Sequence, residues 1–362
     1  FSSADDLQTF TQDVRIVSNG VGRIRWLAGA SYLHRKSLNG FDASWILAPD
    51  ESLLTLFPLW NDKKDKWWGV YSQISGDLTD QMELTVAARY DQNDYTNTTY
   101  TDRHKTAIVP VRDRNGVFVS SQQESADKVQ PKVQLSYRWT PDLMTYVTWS
   151  KGFRAGFFAS GGFTKPESTK NIEIGLKSTL FGDRMMANLS AFHIDYSDQQ
   201  FSTVIDQPPY RLPVTLPETD IDGVELETSI ALSSAVSLDA GLGYLDSKDV
   251  ADFRSPFAPK FTGNVSLNTR QPLVGDWFAI GHLDYRYNAS MYLGRNETSR
   301  IPSKDFVDAR LGVESNNWRV VAFSRNLFST RQAELEVVQL AGGYPRASNK
   351  PRSYGIEFTY SY

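Results

Sequence analysis

The residues best suited to metal or acid–base chemistry are four histidines, His34, His104, His193 and His282, and they are scattered, with none at zinc-ligand spacing. The chain holds no HExxH, no GxSxG and no phosphate-cradling glycine loop. Cysteine is absent, which excludes disulfides and thiolate metal sites. TDIDGVE at 219–225 carries carboxylates without the ligand order of a calcium loop, and a glycine at the start of a strand accounts for it better. These residues predict no catalytic group, no metal site and no cofactor, so the chain reads as a non-enzyme. Arg154, with Phe157 and Phe158, sets a guanidinium beside aromatic rings, a combination suited to an anionic ligand. Tyr95, Tyr100, Arg103 and His104 form a similar group, as do Tyr210 and Arg211 after the Pro208–Pro209 pair, and Arg295. The structural alternative for Arg154 is an aromatic girdle at a strand rim, with the guanidinium paired to a neighbouring loop. Lys151 and Gly152 read as the bend into that loop.

The elements that must position these residues are strands. Helical periodicity is nearly absent, and period-two stretches recur. Met82, Leu84, Val86, Ala88 and Tyr90 share one face, as do Val133, Leu135, Tyr137 and Trp139, and Val236, Leu238, Ala240, Leu242 and Tyr244. Opposite such apolar positions stand Glu83, Arg89, Lys132, Gln134, Arg138, Glu173, Lys177, Glu225, Glu227, Asp239, Asp284, Arg286, Arg310 and Glu314. About fifteen strands are expected, joined by short turns at 18–22, 78–81, 139–142, 181–183, 232–235, 271–276 and 314–317. Long polar connections near 37–64, 94–126, 153–167, 197–218, 247–258, 290–304 and 328–349 alternate with those turns throughout. Tight turns on one side and long loops on the other are the grammar of an antiparallel up-and-down sheet through an outer membrane, whose polar face meets a wet interior. The stretches 185–196 and 319–327 keep alternation poorly, and their faces stay unassigned.

Composition agrees. The 362 residues include 17 Tyr and 9 Trp, and the net charge of −4 offers nothing to a nucleic acid. Mean hydropathy is −0.40, and no run of about 18 apolar residues could form a membrane helix; a membrane β-barrel needs neither. The last ten residues, SYGIEFTYSY, keep Tyr354, Ile356, Phe358, Tyr360 and Tyr362 on every second position, as a lipid-facing final strand requires. The chain begins FSSADDLQTF, with neither Met nor an export signal, and is expected to be a processed product or a fragment.

Several stretches resemble the C-terminal half of the barrel of TonB-dependent outer-membrane receptors of the siderophore type: YVTWSKGFRAGFF (146–158), 166–200, IDGVELETSI (221–230), FSRNLFST (323–330) and the terminal PRSYGIEFTYSY. VRIVS (14–18) followed by RIRWLAGASYL (23–33) resembles an internal hairpin of the same family. The resemblance covers essentially residues 1–362 and implies an all-β transmembrane barrel, with about 15 of 22 strands present and the N-terminal plug and first strands absent. It further implies a Gram-negative outer-membrane location and TonB-energised uptake of a scarce ligand, most often a ferric siderophore. The implied partners are the TonB complex, reached through the missing N-terminal region, outer-membrane lipids, an anionic catechol- or hydroxamate-bearing iron chelate, and the barrel-assembly machinery reading Tyr354, Ile356, Phe358, Tyr360 and Tyr362. Cobalamin, haem and oligosaccharide remain open as ligands, and a passive porin would share the same strand grammar. The family usually ends in Phe; Tyr362 departs from that.

Overall fold

The computed structural model describes residues 2–20, 22–42, 44–46, 53–55, 59–105, 107–109, 117–159, 162–204, 211–292, 300–331, 333–336 and 346–361. Every regular element among them is a β-strand. The chain falls into two compact units, one of residues 1–77, 85–133 and 153–166, the other of 78–84, 134–152 and 167–362.

In the first unit Ser2–Val17 pairs antiparallel with Ile24–Asp42, which pairs antiparallel with Leu59–Asp77. Most of Met82–Lys105 and Val117–Thr140 completes the unit. In the second, Glu167–Leu180, Met185–Val204, Arg211–Ala231, Val236–Asp249, Phe261–Pro272, Phe278–Asn288, Lys304–Glu314, Trp318–Arg325 and Ser353–Tyr360 each pair antiparallel with the next. Neighbours in space are neighbours in sequence, which is the up-and-down order expected from the turns. The turns close by local chemistry. Phe181, Gly182 and Asp183 all adopt positive φ (58, 62 and 67°), and only glycine does so without steric cost. Thr79 Oγ1 accepts hydrogen bonds from the backbone N–H of Gln81 and Met82 at 3.2 and 3.0 Å.

The connections expected near 37–64, 94–126 and 197–218 are shorter than the alternating pattern implied, because the strands run on into them. Met82–Lys105 and Val117–Thr140 have 24 residues each, and Arg211–Ala231 has 21, whereas about 9–11 tilted residues cross a bilayer. In the first two, both faces are polar beyond the apolar rows, so the period-two signal vanishes while the backbone ladder continues; in the third, Pro213 and Pro217 give the segment the look of a loop despite Leu212, Val214 and Leu216. Gly223 is likewise not at a strand start but midway along Arg211–Ala231; a Cβ there would lie 2.2 Å from the Phe192 ring, so the position is kept open for that ring. Gly152 is not a bend either: its strand, Leu143–Arg154, continues past it, and a Cβ would meet Thr169 Oγ1 at 2.6 Å. Lys151 extends its ammonium over the Trp149 ring, 5.7 Å from the centroid.

The distribution of burial is inverted relative to a soluble sandwich. Among the described residues only Tyr95, Ala155, Leu216, Ile301 and Val321 are buried apolar residues, whereas the buried polar set is several times larger. Ile174, Leu311 and Ile356 are 62, 69 and 76% exposed although they lie mid-strand, so the apolar face is bare rather than filled by an opposing layer. The register settles the two irregular strands. Ile174 stands across from Ala191 and Leu176 across from Leu189, so Leu189 and Ala191 join the apolar face and Phe192 the polar one. Leu311 stands across from Ala322 and Val313 across from Val320, which leaves Arg319, Val321, Phe323 and Arg325 on the polar face.

Candidate functional site

The polar face is where chemistry accumulates in each unit. In the first, Arg35 meets Asp65 at 2.6 Å and Asn93 Nδ2 donates to the same carboxylate at 2.5 Å. Arg89 grips Asp91 with two N–H bonds of 2.6 Å, donates to Ser31 at 2.9 Å and stacks 5.4 Å from the Tyr71 ring. Gln130 Nε2 adds a further bond to Asp91 at 2.6 Å. Asp91 is buried and would overlap a Cβ at Gly69, so the glycine makes room for the ion pair. Bidentate, charge-assisted bonds of this kind fix geometry as well as adding energy. The unit presents an ordered hydrophilic wall.

In the second unit Tyr146 donates to Glu173 at 2.6 Å, with the Lys177 ammonium 5.7 Å from its ring. Further along, a recess of about 510 Å³ is bordered by Arg270, His282, Asp284, Asp308, Arg310, Glu314, Arg319 and Arg325 among others. Within it Arg270 pairs with Glu314 at 2.7 Å and lies 3.4 Å from the Phe278 ring centroid. Arg286, beside the recess, joins Asp284 and Asp308 at 2.9 and 2.7 Å. Arg310 and Arg325 make no ion pair among the described residues, although Arg325 stacks on Phe323 at 5.4 Å. Four arginines against three carboxylates leave the recess one positive charge in excess. Arg270 and Arg310 occupy polar-face positions that alternation flags, whereas the faces of Arg319 and Arg325 follow only from the register; the convergence of all four depends on that register, which the sequence does not state.

At the far end of the strands the connections are tied down at their feet. Asn326, at positive φ (51°), donates from Nδ2 to the carbonyls of Thr330 and Lys350 at 2.9 and 3.2 Å. Asn349 donates to the same two carbonyls at 2.8 and 3.1 Å. Asp246 pairs with Lys260 at 2.6 Å, two residues past the exposed ring of Tyr244 that marks the interface. The Lys260 ammonium holds the Asp246 carboxyl below its ordinary range, and Asp252 raises Lys248.

Among the residues singled out from sequence, Arg154 ends Leu143–Arg154 with an exposed side chain and its own bonding partners. Phe157, 38% exposed, opens a short hairpin in which it stands across from Thr164 and Phe158 across from Phe163; the side chain of Phe158 lies outside the described residues. Tyr95 is only 8% exposed, and burial, with the Asp65 charge adding to it, holds its phenol above the ordinary value. Tyr100, Arg103 and His104 continue Met82–Lys105, and Arg211 begins Arg211–Ala231 opposite Val204; their side chains lie outside the described residues. Tyr210, Arg295 and Tyr362 lie outside them altogether. Tyr354, Ile356, Phe358 and Tyr360 share the exposed apolar face, with Trp318 stacked 5.1 and 4.4 Å from the Phe358 and Tyr360 rings. Sequence reasoning missed the Asn326–Asn349 clamp and the arginine recess.

Comparison with known proteins adds the following. The family model "TonB dependent receptor-like, beta-barrel" matches residues 1–327. The metal-pseudopaline receptor CntO of Pseudomonas aeruginosa is 26% identical over 154 residues, 42% of this chain and 21% of that protein. The ferric yersiniabactin uptake receptor FyuA of Yersinia pestis superposes with a TM-score of 0.83 at 14% identity, over 99% of this chain and 54% of that one. The siderophore receptor PiuA of Acinetobacter baumannii gives 0.77 at 16%, over 99 and 56%. The chain thus spans about half the length of the solved receptors it matches.

Proposed function

The chain belongs to the TonB-dependent receptor β-barrel family of Gram-negative outer membranes, and from that premise we propose that it forms part of the wall of a receptor importing a ferric siderophore with energy passed from the TonB complex. A receptor wall performs no covalent chemistry: it supplies a scaffold, loops that capture ligand, and a hydrophilic surface along which the ligand passes. The observation that carries the choice of an anionic chelate is the arginine excess on the polar face. Arg310 and Arg325, unpaired among the described residues, leave positive charge available to a carboxylate- or catecholate-bearing ligand. Arg154 and Phe157, where Leu143–Arg154 gives way to its long connection, are the proposed first contacts. The exposed row of Tyr354, Ile356, Phe358 and Tyr360 supports recognition of the final strand by the barrel-assembly machinery and its later contact with lipid.

The test is uptake of radiolabelled iron, supplied as catecholate or hydroxamate chelates, into cells expressing the full-length receptor. Transport that requires both the receptor and TonB is expected. Uptake that survives loss of TonB would leave a passive porin, and uptake only of cobalamin, haem or an oligosaccharide would replace the ligand. The likeness to a metal-pseudopaline receptor favours one second reading, a chelate of a metal other than iron, which the same assay resolves with other labelled metals.

A further inference from the structure

On the apolar-side face of Met185–Val204 and Arg211–Ala231, the register places His193 directly across from Asp222 and Asp195 directly across from Asp220. One residue pair closer to the turn, Ala191 faces Val224, which faces the exposed ring of Tyr244. On its other side His193 stands across from the exposed Ile172, so the cluster stands at the last apolar row, where the face turns from lipid to headgroup and water. We propose that His193, Asp195 and Asp220 bind a divalent first-row transition-metal ion, with Asp222 as the residue that orients the imidazole.

Three observations converge. One ligand atom from each of His193, Asp195 and Asp220 lies within 4.8 Å of the others. Metal bonds of about 2.0–2.2 Å bring such atoms to roughly 3.4 Å in a tetrahedral site, a change that rotation of half-exposed side chains accommodates. The His193 ring is oriented already: Nδ1 lies 2.8 Å from Asp222 Oδ1, and Nε2 faces Asp195 Oδ1 at 3.1 Å. A carboxylate on the outer nitrogen is the arrangement that fixes tautomer and direction in metal-bound histidines. The charge balance then favours a further cation, since three carboxylates, Asp195, Asp220 and Asp222, stand against only His193 and Lys170, the residue across from Asp195. Asp195 and Asp220 are like charges held opposite each other on a hydrogen-bonded ladder, which is destabilising. Lys248, the residue across from Asp220, sends its ammonium to Asp252 at 2.6 Å instead. The Asp220 carboxylate consequently has no partner among the described residues.

One imidazole nitrogen with carboxylate oxygens suits Zn²⁺, Co²⁺, Ni²⁺, Cu²⁺ or Mn²⁺ better than the all-oxygen preference of Ca²⁺ or Mg²⁺. The remaining coordination positions open away from the sheet, toward water or an anionic oxygen. Such an ion would clip Met185–Val204 to Arg211–Ala231. It would lie on the face opposite the arginine recess, so the site is independent of the transport reading.

The experiment is equilibrium dialysis of the purified full-length receptor in detergent against micromolar Zn²⁺, with folding checked by heat-modifiable gel mobility. Wild type is expected to bind one more equivalent than His193→Ala or Asp220→Asn, and Asp222→Asn should weaken that site about 10–100-fold. Equal stoichiometry and affinity in wild type and variants would overturn the proposal, leaving a proton shared between the imidazole and its carboxylates. A second readout needs no substitution: Zn²⁺ should shield His193 from diethylpyrocarbonate in peptide mass mapping, and unchanged modification would count against the site equally.

Discussion

Adjacent positions on one strand should respond oppositely to the same new charge. Leu267, midway along Phe261–Pro272, is 38% exposed on the apolar face, with Leu238 and Leu283 as its cross-strand neighbours. Its neighbour Ser266 points to the polar face and donates to Asp284 at 2.7 Å. Leu267→Arg puts a guanidinium near the bilayer midplane, at a cost of about 2–4 kcal/mol, a roughly 30- to 900-fold loss in the folding equilibrium. Ser266→Arg places the same group in a wet interior beside Asp284, where the change should stay within about 1 kcal/mol. Leu267→Ala removes the packing against Leu238 and Leu283 without adding charge, and so separates the two effects. Urea titration of the full-length receptor refolded into phospholipid vesicles, followed by tryptophan fluorescence, gives the three midpoints. If Leu267→Arg proved no more destabilising than Leu267→Ala, or Ser266→Arg proved the worse of the two arginine variants, the division of the faces between lipid and water would be wrong.

The feet of the connections make further tests. Because Lys260 depresses the Asp246 carboxyl, that pair contributes fully above the ordinary value of 3.8, and its contribution is lost as pH falls through the depressed value; protease cleavage within 247–258 should accelerate only in that acid range. Asn326→Ala removes two of the four donors that hold Thr330 and Lys350, so cleavage between 331 and 348 should rise while the melting temperature of the full receptor drops by an amount equivalent to ~1–3 kcal/mol. Arg154→Ala should weaken binding of an anionic iron chelate by about 10- to 150-fold, the worth of one charge-assisted bond, as read by isothermal titration; unchanged affinity would remove Arg154 from the ligand site.

The sequence by itself determined the strand identity, the order of turns and the two-faced character of the chain, because a side-chain period of two is a local property of extended backbone. It also determined the exposed aromatic row that ends at Tyr360, since Tyr354, Ile356, Phe358 and Tyr360 carry that period without interruption. It misjudged Met82–Lys105 and Arg211–Ala231 as strands running out into loops: past Tyr90 the first turns polar on both faces and the period loses its contrast, and in the second Pro213 and Pro217 read as loop residues beside Leu212, Val214 and Leu216, although the backbone ladder continues in both. Only the tertiary structure decided which residues meet. The faces of His193 and Val321 follow from pairing with Ile172 and Gly312 rather than from their own neighbours in sequence. The arginine recess and the His193–Asp222 pair bring together residues tens of positions apart. The physical reason is that register is set jointly by turn length and by the matching of two apolar faces, so a contact between strands belongs to neither strand alone.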